Sequence, residues 1–321
     1  MQPGDFELGG YDAICGGCGR GIPAGQTHTM VYGVAYHVQC APPEARSVSP
    51  APRRVSFHPD NRVVDGAPEW NAVNAEFNAL WKANADHLLE AAGNKALEAA
   101  EQSGNPLILA LSFKNLAAWY GRHSAFKKSE PLYERALYLI EEARGPDHPD
   151  VVEFLVALAD AQEARAHYLK AAPLRERALV IHEKAFGADH PGLAVTLRNL
   201  ARTYAALLKF DQARLLFGRA LSIDERLLGP EHFGLLRTLN NLAHCCEALG
   251  DTVRARELYE RSLAISEKES GPGKLMAGWC LGQLAAIHAR QGEKARAESL
   301  RLRARPYLRQ YKGENPDGLY F

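Results

Sequence analysis

The chain has 321 residues, with 38 Lys and Arg against 38 Asp and Glu, so its net charge is zero when histidine is neutral. This balance gives no bulk attraction to nucleic acid or to an anionic membrane, and it disfavours both as partners. The hydrophobic content of 46% is typical of a folded protein, and no apolar run approaches the ~20 residues that a membrane-spanning helix needs. The chain starts without the basic and apolar regions of a secretory signal, so we expect a cytoplasmic location.

Residues 1–10 are predicted to form a flexible leader. Residues 11–41 are rich in glycine and contain Cys15-Gly-Gly-Cys18, followed after eighteen residues by His37-Val-Gln-Cys40. Three thiolates and one imidazole fill a tetrahedral zinc site without an open position, which is the structural type of site. A segment this short buries little core, so zinc binding would supply its folding free energy. We predict structural Zn²⁺ with the ligands Cys15, Cys18, His37 and Cys40, and His28 as the alternative to His37.

This segment resembles one zinc-binding half of a LIM domain, through Tyr36-His37-x-x-Cys40. Ala41-Pro42-Pro43 stands where the cysteines of a second half would follow. Two other interpretations stay open: a thiol redox pair formed by Cys15 and Cys18, and a nucleic-acid-binding finger. Arg20 is the single arginine or lysine inside the module, which disfavours nucleic acid.

A proline-rich linker is predicted over 42–67, and the composition then changes to Ala, Leu, Glu and Arg in helical patterns. Residues 68–102, which include Trp70 and Phe77, are predicted to form a divergent capping hairpin. The final residues, 312–321, are predicted to be a tail because they contain helix breakers.

Between these segments, a 42-residue period restarts in frame five times. The first helix, the turn and the second helix of each repeat are followed by a segment such as Gly-Pro-Asp-His-Pro, seen first at 145–149. A fixed period of this size indicates stacked helix hairpins. The predicted repeats are 103–144, 145–186, 187–228, 229–270 and 271–311.

The repeats resemble the tetratricopeptide repeat (TPR), in the 42-residue form of kinesin light chains. Leu239-Asn-Asn-Leu-Ala243 and Phe113-Lys-Asn-Leu-Ala-Ala-Trp-Tyr120 carry this resemblance. It implies an all-α, right-handed superhelical solenoid of helix hairpins, preceded here by the small zinc-stabilised finger. Some residues depart from the family pattern: Gln162, Cys246 and His288 replace a first-helix aromatic, and Arg175 and Arg301 replace a second-helix aromatic.

In the resembled family, the first helices line a concave groove in which asparagines hold the backbone of a bound peptide. An amide both donates and accepts, so it can pair with an extended backbone of any sequence. The predicted peptide-binding residues are Lys114, Asn115, Asp160, Arg198, Asn199, Arg202, Arg237, Asn240, Asn241, His244, Gln283 and Arg290. The cations among them favour a partner with some acidic character.

Other recurrent residues are predicted to be structural. His148, His190 and His232 recur too far apart to share one metal ion, so we place them in the loops between repeats. The Arg135, Arg177, Arg219, Arg261 and Arg303 row and the Glu141, Glu183, Glu225 and Glu267 row are interpreted as solvated or bridging pairs. Cys245, Cys246 and Cys280 are interpreted as small buried hydrophobes.

The sequence has no phosphate-binding glycine loop, nucleophile elbow or recognisable pair of catalytic carboxylates. We therefore predict a non-catalytic protein-interaction scaffold that binds an extended segment of a partner, with the zinc module as a second interaction element. Zinc-dependent nucleic-acid binding and thiol redox chemistry are the alternative functions.

Overall fold

The computed structural model describes the backbone of residues 11–14, 21–23, 28–31 and 34–37, and then residues 64–188, 190, 192–268 and 272–309. The first group forms two antiparallel hairpins. Strand β1 (Tyr11–Ile14) pairs with β2 (Gly21–Pro23), and β3 (His28–Val31) pairs with β4 (Val34–His37). Cys15, Cys18 and Cys40 lie outside the described residues, and His37 is described by its backbone alone.

From residue 68 onward, the described chain forms twelve α-helices in successive pairs. The helices are α1 (Pro68–Lys82), α2 (Asp86–Ser103), α3 (Pro106–Arg122), α4 (Phe126–Arg144), α5 (Val151–Ala164), α6 (Tyr168–Phe186), α7 (Leu193–Ala206), α8 (Phe210–Leu228), α9 (Leu236–Ala248), α10 (Thr252–Glu267), α11 (Pro272–Arg290) and α12 (Lys294–Arg309). A 3₁₀ turn, Phe233–Leu235, precedes α9. Each predicted repeat holds two helices, and the prediction of an all-α repeat region is confirmed.

The turn inside each repeat has one residue with left-handed backbone. Ser124, Ala166, Leu208, Gly250 and Gly292 occupy the same position in successive repeats and have φ values of 57°, 60°, 59°, 83° and 83°. Left-handed backbone brings the Cβ atom close to the carbonyl oxygen, which strains every residue except glycine. The turn geometry is therefore imposed by the packing of the two helices even where the local residue opposes it.

The same turn defines the register of the first hairpin, which the sequence pattern leaves open. Asn84, with φ 53°, is the equivalent of Ser124, and the interval between them is slightly shorter than the repeat period. The core confirms this register, because Trp70 and Phe77 (each 1% exposed) precede Ala110 and Ala117 (both 0%) by the same interval. The first hairpin thus packs bulky aromatic side chains at positions where the following repeat has alanine.

The helical region divides into two compact units. The first unit contains 64–203 and 219–227, and the second contains 204–218 and 228–309. In the first unit, α4 packs between α3 and α5, and Tyr133, Ile140 and Phe154 belong to one core cluster there. In the second unit, α10 packs between α9 and α11, where Tyr259 meets Trp279 edge to face at 5.5 Å.

The recurrent histidines accept backbone hydrogen bonds in the loops that precede the next helices. The Nδ1 atoms of His148, His190 and His232 accept hydrogen bonds from the backbone N–H groups two residues later, at 3.1, 3.2 and 3.0 Å. His232 thereby caps the 3₁₀ turn Phe233–Leu235, where the imidazole takes the part that Ser or Asp usually plays. The N–H groups of Asp150 and Gly192 precede the first residues of α5 and α7, so His148 and His190 bond within the connecting turns. The Gly-x-Asp-His-Pro segments therefore end one helix and start the next.

The recurrent arginines bridge neighbouring repeats, as one of the two interpretations of that row predicts. Arg177 donates to Glu141 of the preceding repeat at 2.5 Å and to the carbonyl of Pro146, in the loop that opens its own repeat, at 2.6 Å. Arg219 pairs in the same way with Glu183 and with the Ala188 carbonyl. These contacts join the second helix of one repeat to the end of the preceding repeat and to the loop between the two.

Candidate functional site

The twelve predicted groove residues are divided equally between the two units. Lys114, Asn115, Asp160, Arg198, Asn199 and Arg202 lie in the first unit, and Arg237, Asn240, Asn241, His244, Gln283 and Arg290 lie in the second. All twelve stand on the first helices of their repeats, α3, α5, α7, α9 and α11. The two sets differ in how far their polar atoms are already bonded within the protein.

In the first unit, Lys114 and Asn115 are buried and engaged. Lys114 is 6% exposed, pairs with Glu153 at 2.9 Å and lies 5.0 Å from the ring centre of Phe154. Asn115 is 3% exposed and donates from its side-chain amide to Asn74 at 2.9 Å. Both residues therefore join neighbouring first helices to one another.

Asp160 belongs to a buried ionic network that the sequence pattern does not reveal. Arg175 on α6 is 1% exposed, and it donates to Asp160 at 2.5 Å and to Glu163 at 2.9 Å. Thr203 donates a hydrogen bond to Glu163, and Arg202 lies 3.7 Å from the same carboxylate. Burial alone would raise the pKa of Glu163, but the charges of Arg175 and Arg202 and these hydrogen bonds outweigh it and lower the pKa.

The sequence signal for this network is a paired departure from the repeat pattern. Arg175 replaces the aromatic that Tyr133, Phe217 and Tyr259 supply at equivalent positions. Glu163 stands where an equivalent first helix has Gly121. Two charged residues at neighbouring core positions imply that they bond to each other, because an unpaired buried charge is costly.

The remaining cations of the first unit are also paired. Arg198 forms an ion pair with Asp224, which is 7% exposed, and Arg202 donates weakly to Asn199 at 3.4 Å. Lys114, Arg198 and Arg202 thus each face a carboxylate of the protein itself. This arrangement reduces the positive charge that the first unit offers to an acidic ligand.

In the second unit, Asn240 and Asn241 are neighbours in sequence with opposite surroundings. Asn240 is 0% exposed, and its side-chain amide donates to the sulfur of Met276 at 2.9 Å and contacts Cys280. Asn240 is therefore a core residue whose amide is already bonded within the protein. Asn241 is 8% exposed, and its Nδ2 has no hydrogen-bond partner among the described residues.

His244 lies one helical turn after Asn241 and has the same deficit. Its Nε2 atom is buried and has no hydrogen-bond partner within the described part of the chain. The ring of Phe210 meets the imidazole edge to face at 5.9 Å. Burial lowers the pKa of His244, against a smaller opposite effect of Glu247, so the imidazole is neutral at physiological pH.

The other three predicted residues of the second unit are partly or fully exposed. Arg237 is exposed one turn before Asn241, Gln283 is half-buried, and Arg290 pairs with Glu247. The α9 face therefore combines a free donor, a neutral imidazole and an exposed guanidinium on successive turns. Such a set can bind a polypeptide backbone, which also alternates donors and acceptors.

The three cysteines of the repeats are placed as predicted. Cys245, Cys246 and Cys280 are free and buried. Burial raises the pKa of the Cys245 and Cys280 thiols to about 12, so both stay protonated. A protonated, enclosed thiol is a poor nucleophile, and these residues pack as small apolar groups.

Within the described residues, no helix is both long and apolar enough to cross a membrane. The same residues contain no group of three or more His, Cys, Asp or Glu side chains arranged to hold a metal ion. The finding on metal-binding groups does not cover the predicted zinc ligands, because their side chains lie outside the described residues.

Comparison with solved structures identifies kinesin light chain-like neighbours. BtubC (BKLC) from P. vanneervenii is 25% identical, with a TM-score of 0.60 over 72% of this chain and 94% of that chain. A putative kinesin light chain from Podospora anserina, with nearly identical TPR-like repeats, is 24% identical, with a TM-score of 0.56 over 65% and 99%. The apo form of RapI is 15% identical, with a TM-score of 0.57 over 75% and 99%. The last two likenesses concern the fold alone.

No curated protein matches the sequence. The tetratricopeptide repeat family matches this sequence at residues 109–150, 168–226, 209–268 and 234–310. Together these matches cover more than half of the chain, and the predicted helix hairpins are present throughout them. The chain therefore belongs to the tetratricopeptide repeat family.

Proposed function

We propose that this protein is a non-catalytic interaction scaffold whose second unit binds an extended peptide segment of a partner along α9. The observation that carries the proposal is the pair of unsatisfied buried polar atoms, Asn241 Nδ2 and His244 Nε2. A buried polar group without a partner costs about 1–3 kcal/mol. Both atoms are enclosed, so a ligand must move neighbouring side chains aside to reach them. A ligand that then supplies the missing hydrogen bonds removes that cost, so the pair favours the bound state.

The proposed ligand is recognised mainly through its backbone. The Asn241 amide donates to a peptide carbonyl, and the neutral His244 imidazole pairs with the next N–H or carbonyl group. Phe210 beside His244 supplies an apolar surface for one side chain of the ligand. A preference for acidic peptides is supported by the exposed Arg237 alone, because the predicted cations of the first unit already face carboxylates.

The test uses the full chain and a phage-displayed peptide library. Selected peptides are synthesised, and their affinities for the wild type and for the N241A/H244A variant are measured by calorimetry. We expect at least a tenfold loss of affinity, which corresponds to about 1.4 kcal/mol. The matched control is H87A/N94A, which removes the same residue types from exposed positions of α2. Equal binding by N241A/H244A and the wild type contradicts the assignment.

A second substitution separates a binding role from a structural one. Asn241→Leu replaces an unsatisfied amide with an apolar side chain of similar size, so the free protein should be as stable as the wild type or more stable. Peptide affinity should fall at the same time. A loss of thermal stability in N241L would indicate that the amide supports the fold instead.

We also propose that Cys15, Cys18, His37 and Cys40 hold a structural zinc ion, which makes the N-terminal module a second interaction element. The strand pairing supports this proposal, because Ile14 and Gly21 are partners at the base of the segment that carries Cys15 and Cys18. His37 pairs with His28 at the open end of the second hairpin, which keeps His28 as the alternative ligand. The protein's cytoplasmic location stays a prediction.

Metal analysis of the full chain tests the zinc site. We expect about one zinc per chain, lost in Cys15→Ser and kept in Cys246→Ala. A metal-free chain with a reversible disulfide between Cys15 and Cys18 would support the redox alternative instead. Binding of a duplex oligonucleotide that depends on zinc would support the nucleic-acid alternative.

A further inference from the structure

The last helix, α12, has a strongly basic sequence. It contains Lys294, Arg296, Arg301, Arg303, Arg305 and Arg309 against one acidic residue, Glu298. The side chains of Arg301 and Arg305 are 55% and 59% exposed, and both share Glu298 at distances of 3.7 and 3.9 Å. One carboxylate between two exposed guanidinium groups leaves net positive charge on this face.

Arg301 and Arg305 occupy positions that are buried in earlier repeats. They lie one repeat period after Tyr259 and Leu263, which are 0% and 8% exposed, and Tyr259 packs on Trp279 of the following first helix. In α12, Arg301 and Arg305 lie on the same face and are exposed among the described residues. It is the face of a second helix onto which the first helix of another hairpin would pack.

The first helix, α1, has the matching uncovered face. Ala72, Ala75 and Glu76 are exposed, whereas their equivalents in α3 are Ser112, Asn115 and Leu116, which are 1%, 3% and 3% exposed. In α3, Ser112 and Leu116 lie against α2, at the Ala96 carbonyl and at Gly93, and Asn115 bonds to Asn74 of α1. Glu69 is also exposed on α1, two helical turns before Glu76.

The α1–α2 hairpin carries the charge opposite to that of α12. Over residues 68–103 it has six Asp and Glu against two Lys. Its uncovered face combines the carboxylates of Glu69 and Glu76 with the small side chains of Ala72 and Ala75. Small residues at a contact permit a short distance between helix axes, so long arginines of an opposing helix can be accommodated there.

We propose that α12 of one copy docks on α1 of a second copy of this chain, head to tail. The contact repeats the packing of a second helix on the following first helix, as α4 packs on α5, but with charge in place of apolar side chains. Arg301 and Arg305 meet Glu69 and Glu76. Every copy carries both the α12 face and the α1 face, and the contact joins one to the other, so the interface is heterologous. It is independent of the peptide site on α9.

Charged and solvent-accessible pairs are weak and are screened by salt. The association should therefore appear at high protein concentration in low salt and should disappear at about 0.5 M salt, where the Debye length falls to roughly 4 Å. Sedimentation velocity of the full chain over a concentration series measures this. We expect the weight-average mass to rise with concentration in about 0.025 M salt.

Charge reversal provides the decisive variants. E69K/E76K and R301E/R305E should each remain monomeric, and mixing the two should restore association, because each then meets a copy of opposite charge. The matched control is E257K/E260K on α10, where both side chains are exposed, 52% and 51%, and the net charge changes as in E69K/E76K. This control should associate like the wild type.

The proposal is overturned by a wild type that is monomeric in low salt, by reversed variants that associate like the wild type, or by a mixture that fails to associate. Cross-links between α12 and residues 1–63 of the same copy also overturn it, since the chain's own N-terminal segment would then be the occupant. So does a monomeric wild type whose α12 binds a polyglutamate peptide or anionic vesicles. None of these outcomes affects the peptide-binding test on Asn241 and His244.

Discussion

Replacement of Arg175 by leucine should be among the most damaging single substitutions in the first unit. The Arg175 side chain is 1% exposed and neutralises Glu163, whose side chain is 5% exposed. Removing one member of a buried pair leaves the other charge uncompensated, which typically costs about 3–5 kcal/mol. Asp160, with a side chain 26% exposed, can turn to water and adds less.

The stability of the Arg175→Leu variant should change with pH in the direction opposite to that expected when partners lower the pKa of a buried carboxyl group. In the wild type, the lowered pKa of Glu163 means that its contribution is present above the ordinary Glu range and is lost as pH falls through the folded-state pKa. The raised pKa of Asp160, caused mainly by burial, acts in the opposite direction. Without Arg175, burial dominates at both carboxyls, so both pKa values rise and the variant should become more stable as pH falls from 7 to about 5.

Urea unfolding followed by circular dichroism measures both effects at pH 7 and pH 5. The control is R175Y/E163A, which removes both buried charges and restores an aromatic where Tyr133 and Tyr259 stand. This double variant should lose much less stability than R175L, because replacing a whole buried pair with apolar groups is often nearly neutral. The reasoning fails if R175L costs less than about 1 kcal/mol, or if the double variant is the less stable of the two.

Three further predictions concern periodic features. Leu208→Gly should raise the free energy of unfolding by about 0.5–1 kcal/mol, because Leu208 has φ 59° where two equivalent turns have glycine. A urea midpoint lower than that of the wild type would contradict this prediction. The reverse change, Gly250→Ala, should lower the urea midpoint. His232→Ala should cost about 1 kcal/mol through loss of the 3.0 Å cap to the Gly234 N–H group, and His232→Asn should recover most of it in thermal melts. Arg219→Gln should lower the free energy of unfolding by less than about 1 kcal/mol, because the Arg219 side chain of the Arg219–Glu183 pair is over one-third exposed. About 1 M salt should remove most of the difference in stability between this variant and the wild type.

The architecture of the repeats was predictable because it depends on local and periodic signals. A turn that recurs at a fixed period, apolar residues at helical spacing and small residues at fixed positions each predict the same hairpin. The Gly-Asp-His-Pro segments likewise indicate helix boundaries, although the backbone hydrogen bonds that His148, His190 and His232 accept became evident only from their Nδ1 contacts. The family pattern also placed the twelve candidate side chains on first helices.

The sequence by itself thus determined the fold class, the number of repeats and the helices that carry the candidate site. Tertiary structure decided which of those side chains are available. Asn240 and Asn241 are adjacent and chemically identical, yet one is bonded inside the core and the other has an unsatisfied amide. Bonding between residues far apart in the chain, such as Arg175 with Glu163 or Lys114 with Glu153, depends on how successive helices pack. A period describes what every repeat shares, whereas a polar contact depends on the particular residues that two helices bring within about 3 Å of each other.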